Sequence, residues 1–355
     1  MSQQTILAEL DEGKRILEIL ETSPAKGAIE LLYTRRPNAY ESYHKESNDV
    51  RVHVIKDEEA IIATSAEIIR DVYINGEVKK TSYLCGLKKD PYYDGVVNFG
   101  KLFFKSLTRE DIDCYFCSVV EDNKEARALF EKRRKRVMNM DYLQTYTTYM
   151  FKPYFKFKVV ENNFVFKQVE KSEEEAVVKF LNEEGKNKNF FPVINSLEQF
   201  TDLSANDFYI LKKDDEIIAC GALWNQKNYR QYIVKKYNGM MKLARFFNPL
   251  ISKLGYMRLP KEDTPIDFPM LSFFISKDDN AEYYKIFLNY IVKEIKKKYD
   301  MFVIGNTENS FSNEIYKHLK SIKFNTKIYS IDFVFGKGKV QEIDENKLWL
   351  ECGLL

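Results

Sequence analysis

Residues 82–107 constrain this chain more than any other stretch: SYLCGLKK reads as a strand, DPYYDG as a tight turn and VVNFGKLFFKSL as an amphipathic helix. Val96, Phe99, Phe103 and Leu107 recur at helical spacing and would lay that helix on a sheet. A helix that begins directly after a strand turns its unpaired N–H groups and its positive dipole end towards whatever sits at the turn. Such a turn is an anion site made of backbone and suits a pyrophosphate. The same pattern is also an ordinary strand–helix connection that binds nothing.

The flanking pattern extends the sheet. Val50–Lys56 and Ala60–Asp71 alternate as strands, and Asn75-Gly76 is the strongest turn signal in the chain, because both residues tolerate the positive φ of a two-residue hairpin. Beyond the central helix come a buried-type strand at Cys114–Val120, a helix over Asn123–Arg134 and a Tyr-rich extended region at Met138–Phe157. A strand–helix–strand unit crosses over right-handed, so the fold class is α/β (α+β), with a mixed sheet and a parallel step at the central helix. A helix over Ala8–Glu21 and a short strand at Ala28–Tyr33 precede this unit.

With 355 residues the chain predicts two domains, 1–157 and 158–355, at about 150 residues each. Hydrophobic residues make up 45% and charged residues 30%, enough for a sizeable core, and 26 Phe and 23 Tyr make it rich in rings. A net charge of +2 gives the whole molecule no electrostatic preference for nucleic acid or an anionic membrane. No leader-like or membrane-length apolar run is present, so a cytoplasmic location is expected. Cys114 and Cys117 sit on a strand, where a spacing of three sends them to opposite faces. With His44, His53 and His318 isolated, no metal site is expected and the five cysteines read as structural.

The strand order, the long hairpin before the Pro91-Tyr92-Tyr93-Asp94-Gly95 turn, and the segment VVEDNKEARALFEK together resemble the GNAT N-acetyltransferase superfamily. The resemblance implies that the strand before the turn splays from its neighbour and holds the pantetheine of acetyl-CoA, or another acyl-CoA, through the backbone of Leu87, Lys88 and Lys89. It implies that Gly95, Val96, Val97 and Asn98 hold the pyrophosphate, and that Asn123, Ala126 and Phe130 carry the family's next strand end and helix. Several family side chains differ: Asp94, Val97 and Phe99 stand at the usual Arg/Gln and Gly positions, Gly86 precedes Leu87 where a carboxylate is frequent, and Phe130 replaces a tyrosine. Backbone binding of CoA survives such changes better than acid–base catalysis does, since any residue type supplies an N–H.

Residues 158–355 repeat the order, with strands at Phe164–Val169, Leu271–Ile275, Met301–Ile304 and Ile328–Phe335. Phe208–Lys212, the Asp214-Asp215 turn and Glu216–Trp224 form a second hairpin, and helices are expected at Glu173–Glu183, Leu197–Phe200, Glu282–Lys298 and Asn313–Ser321. Asp278-Asp279-Asn280 stands where a phosphate turn would be, which predicts a degenerate second GNAT-like domain without CoA, in a protein of two tandem GNAT-like domains. An insertion at 225–253 contains Lys227, Arg230, Lys235, Lys236, Lys242, Arg245 and Lys253, interleaved with Tyr229, Tyr232, Tyr237, Phe246 and Phe247, and no acid. It reads as a platform for RNA or another polyanion, as a pocket wall for an anionic substrate, or as a packed helix with solvated lysines.

The function implied by the resemblance is N-acetyl transfer by direct attack of an amine, on a small molecule or a peptide, upon the thioester of acetyl-CoA. The base expected from the strand beside the splayed one is Glu67; the chain ends LWLECGLL, which makes the carboxylate of Leu355 a second candidate. The alternative is a non-catalytic module, either an acyl-CoA sensor or an RNA binder.

Overall fold

The computed structural model describes residues 3–22, 24, 27–97, 99, 109–131, 138–160, 163–254, 258–333 and 343–355. In chain order its strands are β1 (Gln4–Leu7), β2 (Ile29–Thr34), β3 (Asp49–Asp57), β4 (Ala60–Ile74), β5 (Glu77–Lys89), β6 (Cys114–Val120), β7 (Met138–Phe151) and β8 (Phe164–Gln168). Then follow β9 (Phe191–Pro192), β10 (Phe208–Lys213), β11 (Glu216–Trp224), β12 (Gln231–Tyr237), β13 (Met270–Ser276), β14 (Phe302–Thr307) and β15 (Ser321–Phe333). The described α-helices are α1 (Gly13–Glu21), α2 (Ala39–His44), α3 (Lys124–Glu131), α4 (Glu174–Gly185), α5 (Gly239–Ile251), α6 (Ala281–Lys296) and α7 (Asn313–Tyr316).

Twelve strands form one path in the order β1-β3-β4-β5-β6-β15-β7-β14-β13-β11-β10-β8, with β9 attached to β4. Every pairing along it is antiparallel except β5–β6 and β13–β14, the two parallel steps. Asn75 and Gly76 take φ of 51° and 81° and close the β4–β5 hairpin, while Asp214 and Asp215 take 48° and 64° and close β10–β11. The protein is thus a mixed α/β structure whose mostly antiparallel sheet is flanked by helices, and each half of the chain supplies one parallel step.

The halves exchange strands. β15 lies between β6 and β7, pairing with β6 over Ile331–Thr326 and with β7 over its whole length, and β7 pairs in turn with β14. Pairing therefore continues unbroken across residue 157. A two-stranded ribbon of β2 and β12 ties the halves a second time. α1 and α2 cover one face of the β3–β6 sheet, where Ile16, Ile19, Ala39 and Tyr43 pack on Val52, Val54, Ala66, Ile68 and Phe116. α6 covers the corresponding sheet of the second half through Ile286, Phe287, Ile291 and Ile295.

Several elements differ from their sequence-based limits. The expected helix over Ala8–Glu21 begins as one 3-10 turn, and the helix expected at Asn313–Ser321 is a single turn ending at Tyr316. Leu197–Phe200 is a non-helical connection whose ring and chain pack inward against Phe273 and Trp224. The last strand starts at Ser321 rather than Ile328, because β7 provides a partner along its entire length.

Candidate functional site

β5 leaves β6 part-way along. Parallel pairing runs from Thr81 opposite Cys114 to Leu84 opposite Cys117 and stops. Beyond it β5 stays paired to β4, whereas Ser118–Val120 pairs with β15, so a wedge opens between the two strands. β5 is bulged at this point: Ala66 faces Cys85 and Thr64 faces Lys88, which leaves Gly86 and Leu87 opposite the single residue Ser65. Gly86 takes φ 63°, and the Tyr43 hydroxyl of α2 occupies the space a Cβ would need. Both the backbone and the neighbour therefore demand glycine. Alternation sends Tyr83 towards α1 and α2, and its hydroxyl meets Ser118 Oγ at 2.5 Å across the apex of the wedge.

Of the predicted cofactor residues, Leu87, Lys88 and Lys89 lie on the part of β5 beyond its last pairing with β6. Leu87 is exposed on the parted stretch. Lys88 Nζ donates to the Leu20 carbonyl at the end of α1 (2.7 Å), where burial lowers its pKa, and Lys89 Nζ donates to the Gly95 carbonyl (2.9 Å). What these residues offer a ligand is backbone rather than charge. Gly95 rests on the Tyr93 ring, whose hydroxyl donates to Asp57 (2.7 Å). Val96 is exposed, and Val97 packs on the cluster of Ile55, Ile62 and Ala63. Asn98 and residues 100–107 of the helix expected over 96–107 lie outside the described residues. Asn123 Oδ1 accepts from the Ala126 amide (3.1 Å) and so caps α3; Ala126 packs beside Tyr115 and Cys117, and the Phe130 side chain lies outside the described residues.

Glu67 is fully buried, opposite Leu84 on β5. His53 Nε2 lies 2.7 Å from its carboxylate, Ser82 Oγ donates at 3.3 Å and Arg51 sits at 3.7 Å. Leu84 packs with Ile69 and Tyr115, so by alternation Glu67 faces the side of the sheet opposite Tyr83, Tyr43 and Phe116. Its partners join β3, β4 and β5 rather than facing the Tyr83–Ser118 apex.

On the α2 side the structure gathers groups that the sequence does not flag. Glu46 is buried with Arg35 at 2.6 Å, Arg70 at 3.5 Å and Arg230 at 3.7 Å. Burial disfavours the charge on Glu46, but the guanidinium groups of Arg35, Arg230 and Arg70 outweigh it and hold the carboxyl below its usual range. The surplus cations face the C-terminal tail: Arg230 donates to Gly353 O (2.7 Å) and to the Leu355 main-chain oxygen, Gln226 to Gly353 O (2.8 Å) and Arg70 to Leu354 O (3.3 Å). Arg230 and Tyr229 of the basic insertion are thus core residues, not a polyanion surface. Burial pushes the Cys85 thiol, on the same face, up to about 12.

The second half repeats the wedge and fills it. β13 and β14 pair only at Met270–Val303 before parting. β13 is also bulged, since Ala222 faces Ser272 while Cys220 faces Ile275, and Phe273 there takes φ 51°. Its amide donates to Glu351 Oε2 (2.6 Å), and the Gly353 amide donates to Oε1 (3.0 Å). Burial raises the Glu351 carboxyl to about 7 even though these two amides favour its charge. Above the bulge a cavity of ≈ 290 Å³ is lined by Lys188, Ser276, Tyr284, Asn306, Ser312 and Glu351. On the other side Glu351, Arg70, Thr81, Phe116, Leu354 and Leu355 enclose a water-sized space of ≈ 20 Å³ just below the first wedge. The start of α6 is capped from within, since Asn280 Oδ1 accepts from Glu282 N (2.9 Å) and Tyr283 N (3.1 Å) and Asp279 pairs with Lys188 (2.5 Å). The acidic lip expected at 278–280 is present and already engaged. Among the described residues no group of three or more His, Cys, Asp or Glu is placed to hold a metal, and no helix is long and apolar enough to cross a membrane.

Two parted parallel steps lie on one mixed sheet, each with a bulge beside it. Solved structures share this fold. Over 94% of this chain it is similar to yeast (Saccharomyces cerevisiae) N-myristoyltransferase with bound myristoyl-CoA, at TM-score 0.57 and 8% identity over 83% of that chain. It is similar over 94% to a GCN5-related N-acetyltransferase from Anabaena variabilis, at TM-score 0.55 and 7% identity over 73% of that chain. A probable N-acyltransferase from Enterococcus faecalis matches over 94%, at TM-score 0.53 and 8% identity over 73% of that chain. No family model and no curated protein matches the sequence. The likeness is one of fold, which is that of the GNAT acetyltransferases and N-myristoyltransferase.

Proposed function

We propose that the chain is an acyl-CoA-dependent N-acyltransferase, with the pantetheine and thioester in the wedge between β5 and β6. The observation that carries this reading is the parting of the strands after Leu84 and Cys117, beside a left-handed bulge at Gly86. The second wedge supports it from within the molecule, because the equivalent bulge there grips a carboxylate oxygen through the Phe273 amide. The same main-chain geometry at Gly86–Leu87 would receive the thioester carbonyl and the negative charge that develops on it. Leu87, Lys88 and Lys89 would bond the pantetheine arm through the backbone, and Gly95, Val96, Val97 and Asn98 would hold the diphosphate.

The amine would approach on the α2 side, where Tyr83 and Ser118 mark the apex. Attack on the thioester carbon forms the new C–N bond, the C–S bond breaks, and CoA leaves as the thiol after taking up a proton. The proton lost by the amine needs a carboxylate on this side of the sheet. Glu67 faces the other side, whereas Glu351 borders both cavities and its carboxyl is raised by burial to about 7, in the range a general base near neutral pH requires. Glu351 is therefore the proposed proton acceptor, through water in the small space beneath the wedge. The ≈ 290 Å³ cavity, with its amides and hydroxyls, would seat a polar acceptor bearing the amine.

Thermal denaturation of the full chain with CoA, acetyl-CoA and myristoyl-CoA, followed by thiol release with a panel of amino sugars, polyamines and N-terminal peptides, tests the proposal. Stabilisation by at least one thioester together with amine-dependent thiol release is expected. No stabilisation by any of them would remove the acyl-CoA reading; stabilisation without release for every amine would leave an acyl-CoA sensor instead.

A further inference from the structure

The insertion does not pack as a whole. α5 follows β12 through Asn238, whose side chain donates to Gly27 O (3.0 Å) and Glu30 Oε1 (2.9 Å) and so anchors the helix to the β2–β12 ribbon. Met241 and Ala244 face the main core, and Asn248 is buried with its Oδ1 accepting from the Leu259 amide (2.8 Å). The opposite side is open among the described residues. Met240, Leu243, Phe246, Leu250 and Leu254 are 63–86% exposed, and Phe247 is half-exposed. Scattered exposed apolar residues are ordinary on any protein, but these recur at steps of three and four along one stripe of a helix and its final turn.

The charges beside that stripe are of one sign. At about 100° per residue, Lys242 and Arg245 fall on the flank between the exposed stripe and the buried side, and Lys253 lies in the 3-10 turn that follows. None of the three forms an ion pair among the described residues, and the segment 239–254 contains no acid. A convex apolar ridge bordered by unpaired cations matches, layer for layer, a surface whose hydrocarbon lies beneath anionic headgroups. A nucleic acid would use the cations but gain nothing from Met240, Leu243, Leu250 and Leu254, which offer no flat ring for a base.

We propose that α5 is an interfacial helix that docks the protein on an anionic lipid surface, with Leu243, Phe246 and Leu250 entering the acyl boundary and Lys242, Arg245 and Lys253 meeting phosphate headgroups. It is a partner for which the near-neutral net charge of the chain gives no reason to look.

The test is flotation of the full chain with vesicles of phosphatidylcholine alone and with a quarter phosphatidylserine. The wild-type chain is expected to float with the anionic vesicles and to be released by high salt. F246E/L250E, at positions already in solvent, should keep its melting temperature and lose at least tenfold in vesicle affinity. K242E/K253E should lose a similar amount, since each basic residue near such a surface contributes about fivefold. Failure of the wild-type chain to float overturns the proposal, as does undiminished flotation of F246E/L250E. A self-associated wild-type chain that F246E/L250E renders monomeric, with no vesicle binding, would assign the stripe to a second copy. RNA retention lost in K242E/K253E without vesicle binding would assign the flank to nucleic acid.

Discussion

Replacing Glu351 by glutamine separates the charge of this side chain from its shape. The carboxyl has an ordinary value of 4.5 and is raised by burial to about 7 in the folded chain. The folded state therefore holds the proton more tightly than the unfolded one, and that difference is worth about 3 kcal/mol. The sign follows: the contribution is fully present below about pH 4.5, is lost progressively as pH rises towards about 7, and stays lost above it. Glutamine keeps one oxygen for one of the Phe273 and Gly353 amides and turns its NH2 towards the other, a cost that does not vary with pH, and it titrates nowhere. In E351Q minus wild type, stability should thus climb by about 3 kcal/mol between pH 4.5 and 7 and then level off, which in a chain of this size is about 5 °C in Tm. Paired thermal melts across pH 4.5–8.5 in matched ionic strength read this directly and need no substrate. Parallel Tm profiles for the two proteins over that range would refute the assignment of a buried, proton-holding Glu351, and with it the proposed proton acceptor.

Two other substitutions probe the frame of the first wedge. Gly86→Ala, which forces a Cβ into the Tyr43 hydroxyl at a left-handed φ, should destabilise the chain by roughly 1–3 kcal/mol in urea melts, with partial recovery in G86A/Y43F, where only the backbone strain remains. Glu46→Gln leaves Arg35, Arg70 and Arg230 buried without their carboxylate and should cost roughly 3–5 kcal/mol by the same measurement; a loss below about 1 kcal/mol would mean the cluster is solvated.

Local chemistry made much of the fold readable. The two hairpins rest on residues that accept positive φ, Asn75-Gly76 and Asp214-Asp215, and the parallel β5–β6 step follows from a strand, a helix-length segment and another strand. The family pattern names Leu87, Lys88 and Lys89, and these lie on β5 beyond its last pairing with β6. What sequence could not supply is pairing over long distance. Nothing in Ser321–Phe333 announces that it will lie between β6 and β7, because a strand of alternating residues carries no label for its neighbours. Glu67 and Glu351 show the same limit for the site. Both are acids among apolar sequence neighbours, and only the register of β4 against β5 and the path of residues 343–355 reveal that one faces away from the Tyr83–Ser118 apex while the other meets two cavities. Within 225–253, the rings interleaved with basic residues are visible, but which side of the helix the core leaves bare is not.

The interleaving of β15 has a consequence for biosynthesis. As the polypeptide emerges from the ribosome, β6 and β7 are made some two hundred residues before the strand that must lie between them. Until then each shows an open hydrogen-bonding edge, and the amino-terminal portion cannot complete its architecture however long translation pauses. A chain that stopped short of β15 would leave both edges open and the sheet unfinished.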